Sequence, residues 1–392
     1  MESLADVGMF DSFLVRFKPI FTIPQFSNFI HYSKGIISAA KKNVSSIAST
    51  GNYTKNQSTL NRFLTESPWR VDALNRRKYG FLKEKIGRNN CCFVSIDDTL
   101  FEKTGKKIEL ASKLFDHCKK DYIFGHCLVT SHIICGFFQS PLTFRHYQNK
   151  NVCVPDEFKT KIELAMEIID ECIHENIGDY YLIDSWYFAS SLAEHVPDSG
   201  KKYIAMSKSN RKIMFNEQWT SLRDLQFDKI EPMVVGKYRC IELVSQMKGL
   251  RHNVRIVCTQ KVNKTKKWKF IVTNDIESPI EFIVQSYAKR WSIEVLHKDL
   301  KNNLGINDYQ MRKRYGFIKH WTLIFLVCFI LYAMKSESTT TKAKGTVGKI
   351  VGYLKNLFCL DWIMKLVNEG VEHAKEGLTA LVANEIIKNA KV

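Results

Sequence analysis

The chain has 392 residues, beyond the roughly 250–300 at which a single hydrophobic core stops growing, so more than one compact lobe is expected. At 45% hydrophobic and 25% charged residues the composition is that of a globular protein and excludes a largely disordered one. Lys and Arg number 58 against 40 acids, a formal charge of +18 spread along the chain, which suits a polyanionic partner.

In chain order, the first residues lack the basic-then-apolar order of a secretory signal, so a cytoplasmic protein is expected. From about Gln25 to Gly87 the pattern is helical and basic. Ser46-Ile47-Ala48 leads into a Thr50-Gly51 break, and helical spacing resumes at Ser58-Thr59-Leu60-Asn61-Arg62-Phe63-Leu64. Two helices about such a turn fit a helix-turn-helix reader, with Lys55, Gln57, Asn61 and Arg62 near phosphates or bases, and equally fit a plain bundle.

At Cys91 the period changes. Cys91-Cys92-Phe93-Val94-Ser95-Ile96 is a short apolar run ending in Asp97-Asp98. Tyr122 to Phe138 reads as two strands interrupted near Ser131-His132. Asp156-Glu157 opens an amphipathic helix to about Ile173, and Tyr180-Tyr181-Leu182-Ile183 is a strand ending in Asp184. Lys201 to Asn274 is strand-rich and basic, too much β for one connection, and reads as an inserted β subdomain. A helix after Pro279 carries Tyr287, Arg290, Glu294 and Lys301. The apolar run Trp321 to Met334 is shorter than the roughly 18–20 residues needed to span a bilayer and reads as a buried helix, with no membrane partner expected. Lys335 to Gly345 resembles a linker, and helical residues from about Val347 close the chain.

The 11 cysteines include no C-x-x-C and no Cys/His spacing of the zinc kind. Cys91, Cys92, Cys127, Cys135, Cys258 and Cys328 lie in apolar runs and are expected as buried free thiols in a reducing compartment. His117-Cys118 and His126-Cys127 match no familiar metal site.

Two acids after apolar strands and a third on a helix are what two-metal phosphoryl transfer requires. Carboxylates are the hard oxygen ligands that Mg²⁺ and Mn²⁺ prefer, and two such ions clamp the attacking and leaving oxygens of an in-line displacement. Each acid alone has a plainer reading, as a turn or helix cap. Tyr287, Arg290, Glu294 and Lys301, at intervals of three, four and seven, would share one face of a continuous α-helix.

Tyr287-x2-Arg290-x3-Glu294-x6-Lys301 resembles the Y-R-E-K signature of bacterial insertion-sequence transposases of the IS-four type. Ile96-Asp97-Asp98-Thr99 with Lys103-x-Gly105-Lys106-Lys107, and Leu182-Ile183-Asp184-Ser185-Trp186-Tyr187, resemble the first and second catalytic blocks of that group. Thr59 to Leu64 resembles the lead-in to their N-terminal region, and the likeness covers about residues 55–335.

The resemblance implies an α/β fold, a ribonuclease H-like catalytic core interrupted by a β-rich insertion, with helical N-terminal and C-terminal regions. The segments would be 1–90 (DNA-binding), 91–200 and 276–335 (core), 201–275 (insertion) and 336–392 (C-terminal). It implies cut-and-paste transposition, with Asp97, Asp184 and Glu294 holding two divalent ions, Mg²⁺ or Mn²⁺. Asp98 is the alternative first ligand. Tyr287, Arg290 and Lys301 would hold phosphates, with Trp291 beside the distorted strand. The implied partners are double-stranded DNA, as terminal inverted repeats and target, and a second copy of the chain in a synaptic homodimer, in a bacterial cytoplasm at the nucleoid. A nuclease without strand transfer and a catalytically silent DNA-binding protein are the competing readings.

Overall fold

The computed structural model describes residues 2–50, 55–87, 90–117, 119–227, 230–262, 268–337 and 345–389. They divide into two compact units, Met1–Leu74 with Asn302–Val392, and Asn75–Lys301. The chain opens with helices α1 (Glu2–Val15), α2 (Ile23–Ser38), α3 (Val44–Ala48), α4 (Gln57–Thr65) and α5 (Val71–Ile86). Their starts are set locally. Thr22 accepts the Gln25 backbone N–H while the Gln25 side chain accepts that of Thr22, a reciprocal cap with Pro24 in the first turn. Asn43 and Asn56 cap α3 and α4. Gly51 of the expected break lies outside the described residues.

Strands follow: β1 (Cys92–Glu102), β2 (Ser112–Asp116), β3 (Asp121–Cys135) and β4 (Phe138–Tyr147), then α6 (Lys161–His174), β5 (Tyr180–Ile183), α7 (Ser190–Asp198) and β6 (Lys202–Ser207). The stretch from 201 to 275 adds β7 (Lys212–Phe215), β8 (Gln218–Ser221), β9 (Met233–Val235), β10 (Tyr238–Gln246), β11 (Asn253–Lys261) and β12 (Lys269–Thr273). The chain ends with α8 (Ile280–Ala288), α9 (Ser292–Lys298), α10 (Arg314–Glu337) and α11 (Val347–Asn389).

One mixed sheet, ordered β2-β3-β1-β5-β6-β12-β11-β10-β9 with β4 also on β3, runs through the second unit. β1, β5 and β6 are mutually parallel neighbours, and every other pair is antiparallel. The central strands read as apolar runs because both faces are covered: Val94, Ile96, Leu182, Ile183 and Ile204 have no exposed surface. The strands of 201–275 continue this sheet from β6 outward, except the separate hairpin β7–β8. β1 and β3 approach closely at Gly125, where a Cβ would lie 1.9 Å from the Phe101 carbonyl oxygen, so only glycine fits.

Several local expectations are corrected. Tyr122 to Cys135 is one strand, and the polar pair Ser131-His132 marks a register shift against β4, not a break. The helix expected from Asp156 starts at Lys161, because Thr160 and Glu163 form the reciprocal cap there. Cys92 and Cys135 face each other across β1 and β3 and are joined as a disulfide, while Cys91, before the strand begins, is exposed. Cys127, Cys258 and Cys328 are buried, as expected.

In the first unit, α10 is the core. It is 24 residues long and apolar enough by composition to cross a membrane, longer than the run read from sequence, yet 94% of its apolar window is buried. A helix apolar all round needs neighbours on every side, and α1, α2, α4 and α11 supply them. Within that packing His320 Nδ1 lies 2.7 Å from the Tyr32 hydroxyl.

Candidate active site

β1 runs on to Glu102, so Asp97 does not end a strand as expected. What ends is the partner: the parallel pairing of β1 with β5 stops at Ile96 opposite Ile183, and Asp97 and Asp184 are the next residues along each chain. Two carboxylates far apart in sequence are thus neighbours at one point of the sheet. Asp184 Oδ1 accepts the backbone N–H groups of Trp186 (2.9 Å) and Tyr187 (2.8 Å). It caps the turn between β5 and α7, which itself starts only at Ser190.

Alternation along β1 separates Asp97 from Asp98. Asp97 Oδ1 accepts the Asp98 backbone N–H (2.8 Å), and Oδ2 lies 3.4 Å from Arg290 Nη1. Asp98 is turned to other partners: Lys161 Nζ at 2.7 Å, the Tyr187 hydroxyl at 3.1 Å and the Cys127 thiol at 3.4 Å all donate to it. Burial, then repulsion from Asp184, pushes the Asp97 carboxyl up to about 7, against the opposing pull of its backbone hydrogen bond and Arg290.

The third acid reaches the site through Arg290, whose Nη2 lies 3.4 Å from Glu294 Oε1. The guanidinium thus lies between Asp97 and Glu294. Burial works against its charge, but Tyr287, Asp97, Glu294 and Asp184 outweigh this and hold its pKa above the usual value. Tyr287 is pushed up to about 12, chiefly by burial.

The carrier of these residues is not the single helix expected. α8 ends at Ala288, Lys289–Trp291 is a 3₁₀ turn, α9 covers Ser292–Lys298, and Asp299–Asn303 is a π turn. The tightened and widened turns break the 3.6-residue period. Arg290 and Glu294 keep their four-residue pairing, whereas Lys301, beyond α9, sits over the Phe101 ring, 5.9 Å from its centre.

A groove of about 830 Å³ has Asp184 in its wall, together with Tyr287, Arg290, Trp291, Lys237, Lys261 and Lys269. Trp291 is 66% exposed there. The groove lysines were not singled out from sequence. The available signal was period two: Thr259 with Lys261, and Lys269 with Ile271, alternate along β11 and β12. Asn61 and Arg62 are exposed on α4 of the first unit.

Among the described residues, no three His, Cys, Asp or Glu side chains converge closely enough to hold a metal ion. Asp97 and Asp184 do fit a hard divalent cation, being half-buried carboxylates side by side whose repulsion a cation would relieve. Glu294 is engaged by Arg290 instead.

The family model described as DDE superfamily endonuclease matches residues 25–221. The chain therefore belongs to the DDE superfamily endonucleases. The match takes in Asp97 and Asp184 and ends before the Tyr287–Lys301 segment, so the four-residue signature is no part of it. The chain is also 24% identical over 274 residues, 65% of its length and 69% of the relative's, to the probable transposase for insertion sequence element IS701 of Microchaete diplosiphon. Its fold is similar to that of the piggyBac transposase in a synaptic complex with hairpin DNA. The TM-score is 0.51 at 11% identity, over 86% of this chain and 72% of the other. That likeness fits the three antiparallel strands β4-β3-β1 followed by parallel β5 and β6, a ribonuclease H-like order.

Proposed function

We propose that the chain is a DNA transposase that cuts strands at the ends of an insertion sequence and joins them to target DNA. One observation carries the reading: Asp97 and Asp184 meet where the pairing of β1 and β5 ends, and Asp184 lines a groove that also presents Lys237, Lys261 and Lys269. The lysines would hold the phosphates of one strand, and Trp291 would pack against a sugar or base. Water attacks the scissile phosphorus, the bond to the 3′ oxygen breaks, and that oxygen leaves as a hydroxyl with the proton the water gives up. The freed hydroxyl then attacks a second phosphorus in the opposite strand or in the target; the bond from that phosphorus to its own 3′ oxygen breaks, and that oxygen leaves as a hydroxyl with the proton the attacking group gives up.

Asp97 and Asp184 would hold Mg²⁺ or Mn²⁺, with Glu294 joining them once Arg290 turns to a phosphate; bound metal supplies charge neutralisation at the phosphoryl group. Residues 1–90 would bind the element ends, with Asn61 and Arg62, exposed on α4, as contacts. A second copy would pack on α11, where Leu360, Met364, Val367 and Val371 are exposed at coiled-coil spacing.

The test is Mn²⁺-dependent cleavage of a plasmid carrying the element ends, with Asp184→Asn as control. Cleavage lost in that variant supports the reading; equal cleavage by both proteins defeats it. The contact of Arg290 with both Asp97 and Glu294 favours one other reading, a DNA-binding protein that keeps the fold without cutting. Tight binding of element ends with no nicking at any Mn²⁺ concentration would establish it.

A further inference from the structure

Thr130 and His297 lie in the second unit and have no part in the reading above. Thr130 faces Asp97 across the antiparallel pair β1–β3. The pairing of β3 with β4 shifts register directly after it, a device that re-aims side chains. His297 follows Glu294 by one turn on α9. Thr130 is fully buried and His297 nearly so. Thr130 Oγ1 donates to the Asp97 carbonyl oxygen at 3.1 Å and lies 2.8 Å from His297 Nε2.

A hydroxyl has one proton to give. With it on the Asp97 carbonyl, the Thr130 oxygen is an acceptor toward the ring, so His297 Nε2 carries the hydrogen and donates. Donation then runs in one direction, from α9 through Thr130 to the backbone of β1. Its two ends are the backbone of one acid and the helical turn after another.

We propose that Thr130 and His297 are positioning residues, a clamp that ties the helix bearing Glu294 to the strand bearing Asp97 and so fixes the spacing of those two carboxylates for a divalent cation. The inference rests on the metal-site reading above. A bond that merely held helix to sheet would change stability and leave cation affinity alone. The clamp predicts that affinity changes even where the fold is intact.

The experiment is a Mn²⁺ titration of the full chain followed by the paramagnetic resonance of the free ion, with plasmid nicking in parallel. Thr130→Val keeps shape and removes the hydroxyl, and should weaken Mn²⁺ binding by about 10–100-fold, the cost usual for partners behind metal ligands. Thr130→Ser should restore near-wild-type binding. Nicking by the valine variant should need correspondingly more Mn²⁺ while approaching the wild-type rate at saturation.

His297→Gln keeps an N–H donor at the reach of Nε2, and His297→Asn falls short by one methylene. The first should bind Mn²⁺ close to wild type and the second should not, which decides the matter even if Thr130→Val fails to fold. Wild-type affinity in both Thr130→Val and His297→Asn overturns the clamp, as does failure of serine to restore binding. If Mn²⁺ affinity follows the predicted order but no protein nicks DNA, the clamp stands and the transposase reading falls. If the wild type binds no Mn²⁺, both fall.

Discussion

The two faces of β1 place adjacent aspartates in opposite chemistry. Asp98 is enclosed by donors, with Lys161, Tyr187 and Cys127 all directed at it. Asp97 looks across at a second carboxylate and shares one guanidinium with a third, so its burial is poorly balanced and its carboxyl is pushed up to about 7. A satisfied buried ion is a structural part. One left unbalanced at the edge of a groove is where binding of a cation or substrate has something to gain, and perturbed groups gather at functional sites for that reason. One residue of spacing on a strand is enough to separate the two roles.

The sharpest way to break this contrast is to neutralise each acid in turn. Asp97→Asn and Asp184→Asn should each lower Mn²⁺-dependent plasmid cleavage by about 10³-fold or more, as removal of a central catalytic group does. Asp98→Asn should cut at close to the wild-type rate once its lower stability is allowed for. Equal losses at 97 and 98 would erase the distinction.

Stability should move the other way. Asp98→Asn removes the partner of Lys161, whose side chain and that of the acid are each 20% exposed, and should cost about 1–3 kcal/mol in urea unfolding. A neutral outcome would mean that Lys161 is hydrated and the pair contributes little.

Asp97 also makes a claim about pH. Its folded pKa, about 7, lies above the ordinary value of 3.8, so the folded state binds the proton more tightly and this group's contribution to stability falls as pH rises between those values. Asp97→Asn should therefore raise the melting temperature most at pH 8 and least at pH 4. A stabilisation that did not change across that range would show that Asp97 is not strained in this way.

The smallest effect belongs to the groove. Lys237→Ala, Lys261→Ala and Lys269→Ala should each flatten the salt dependence of DNA binding by about one unit of slope, the change expected when one phosphate is no longer neutralised. Unchanged slopes in all three would move the strand elsewhere.

Much of this architecture was legible in the residues. The apolar runs at 92–96 and 180–183 marked the adjacent strands because a doubly covered strand needs a continuous apolar sequence. The fully apolar stretch within α10 announced a helix surrounded on all sides. The start of α6 and the disulfide were misread. Thr160 and Glu163 are a local signal that outweighs the acidic pair upstream, whereas the pairing of Cys92 with Cys135 depends on a register that no local pattern contains.

Local pattern was enough to find the strand that carries Asp97 and the one that leads into Asp184, because side-chain period and apolar runs are properties of neighbouring residues. It was also enough for the basic excess and for the Arg290–Glu294 spacing, which holds over any single helical turn. Which aspartate of the pair faces Asp184 was settled by folding, since that depends on where β5 stops against β1. So were the 3₁₀ turn and the π turn that break the Tyr287–Lys301 segment, and the meeting of Thr130 with His297. Those outcomes depend on contacts between residues far apart in the chain, whose energies appear only when the sheet and the helix close on each other.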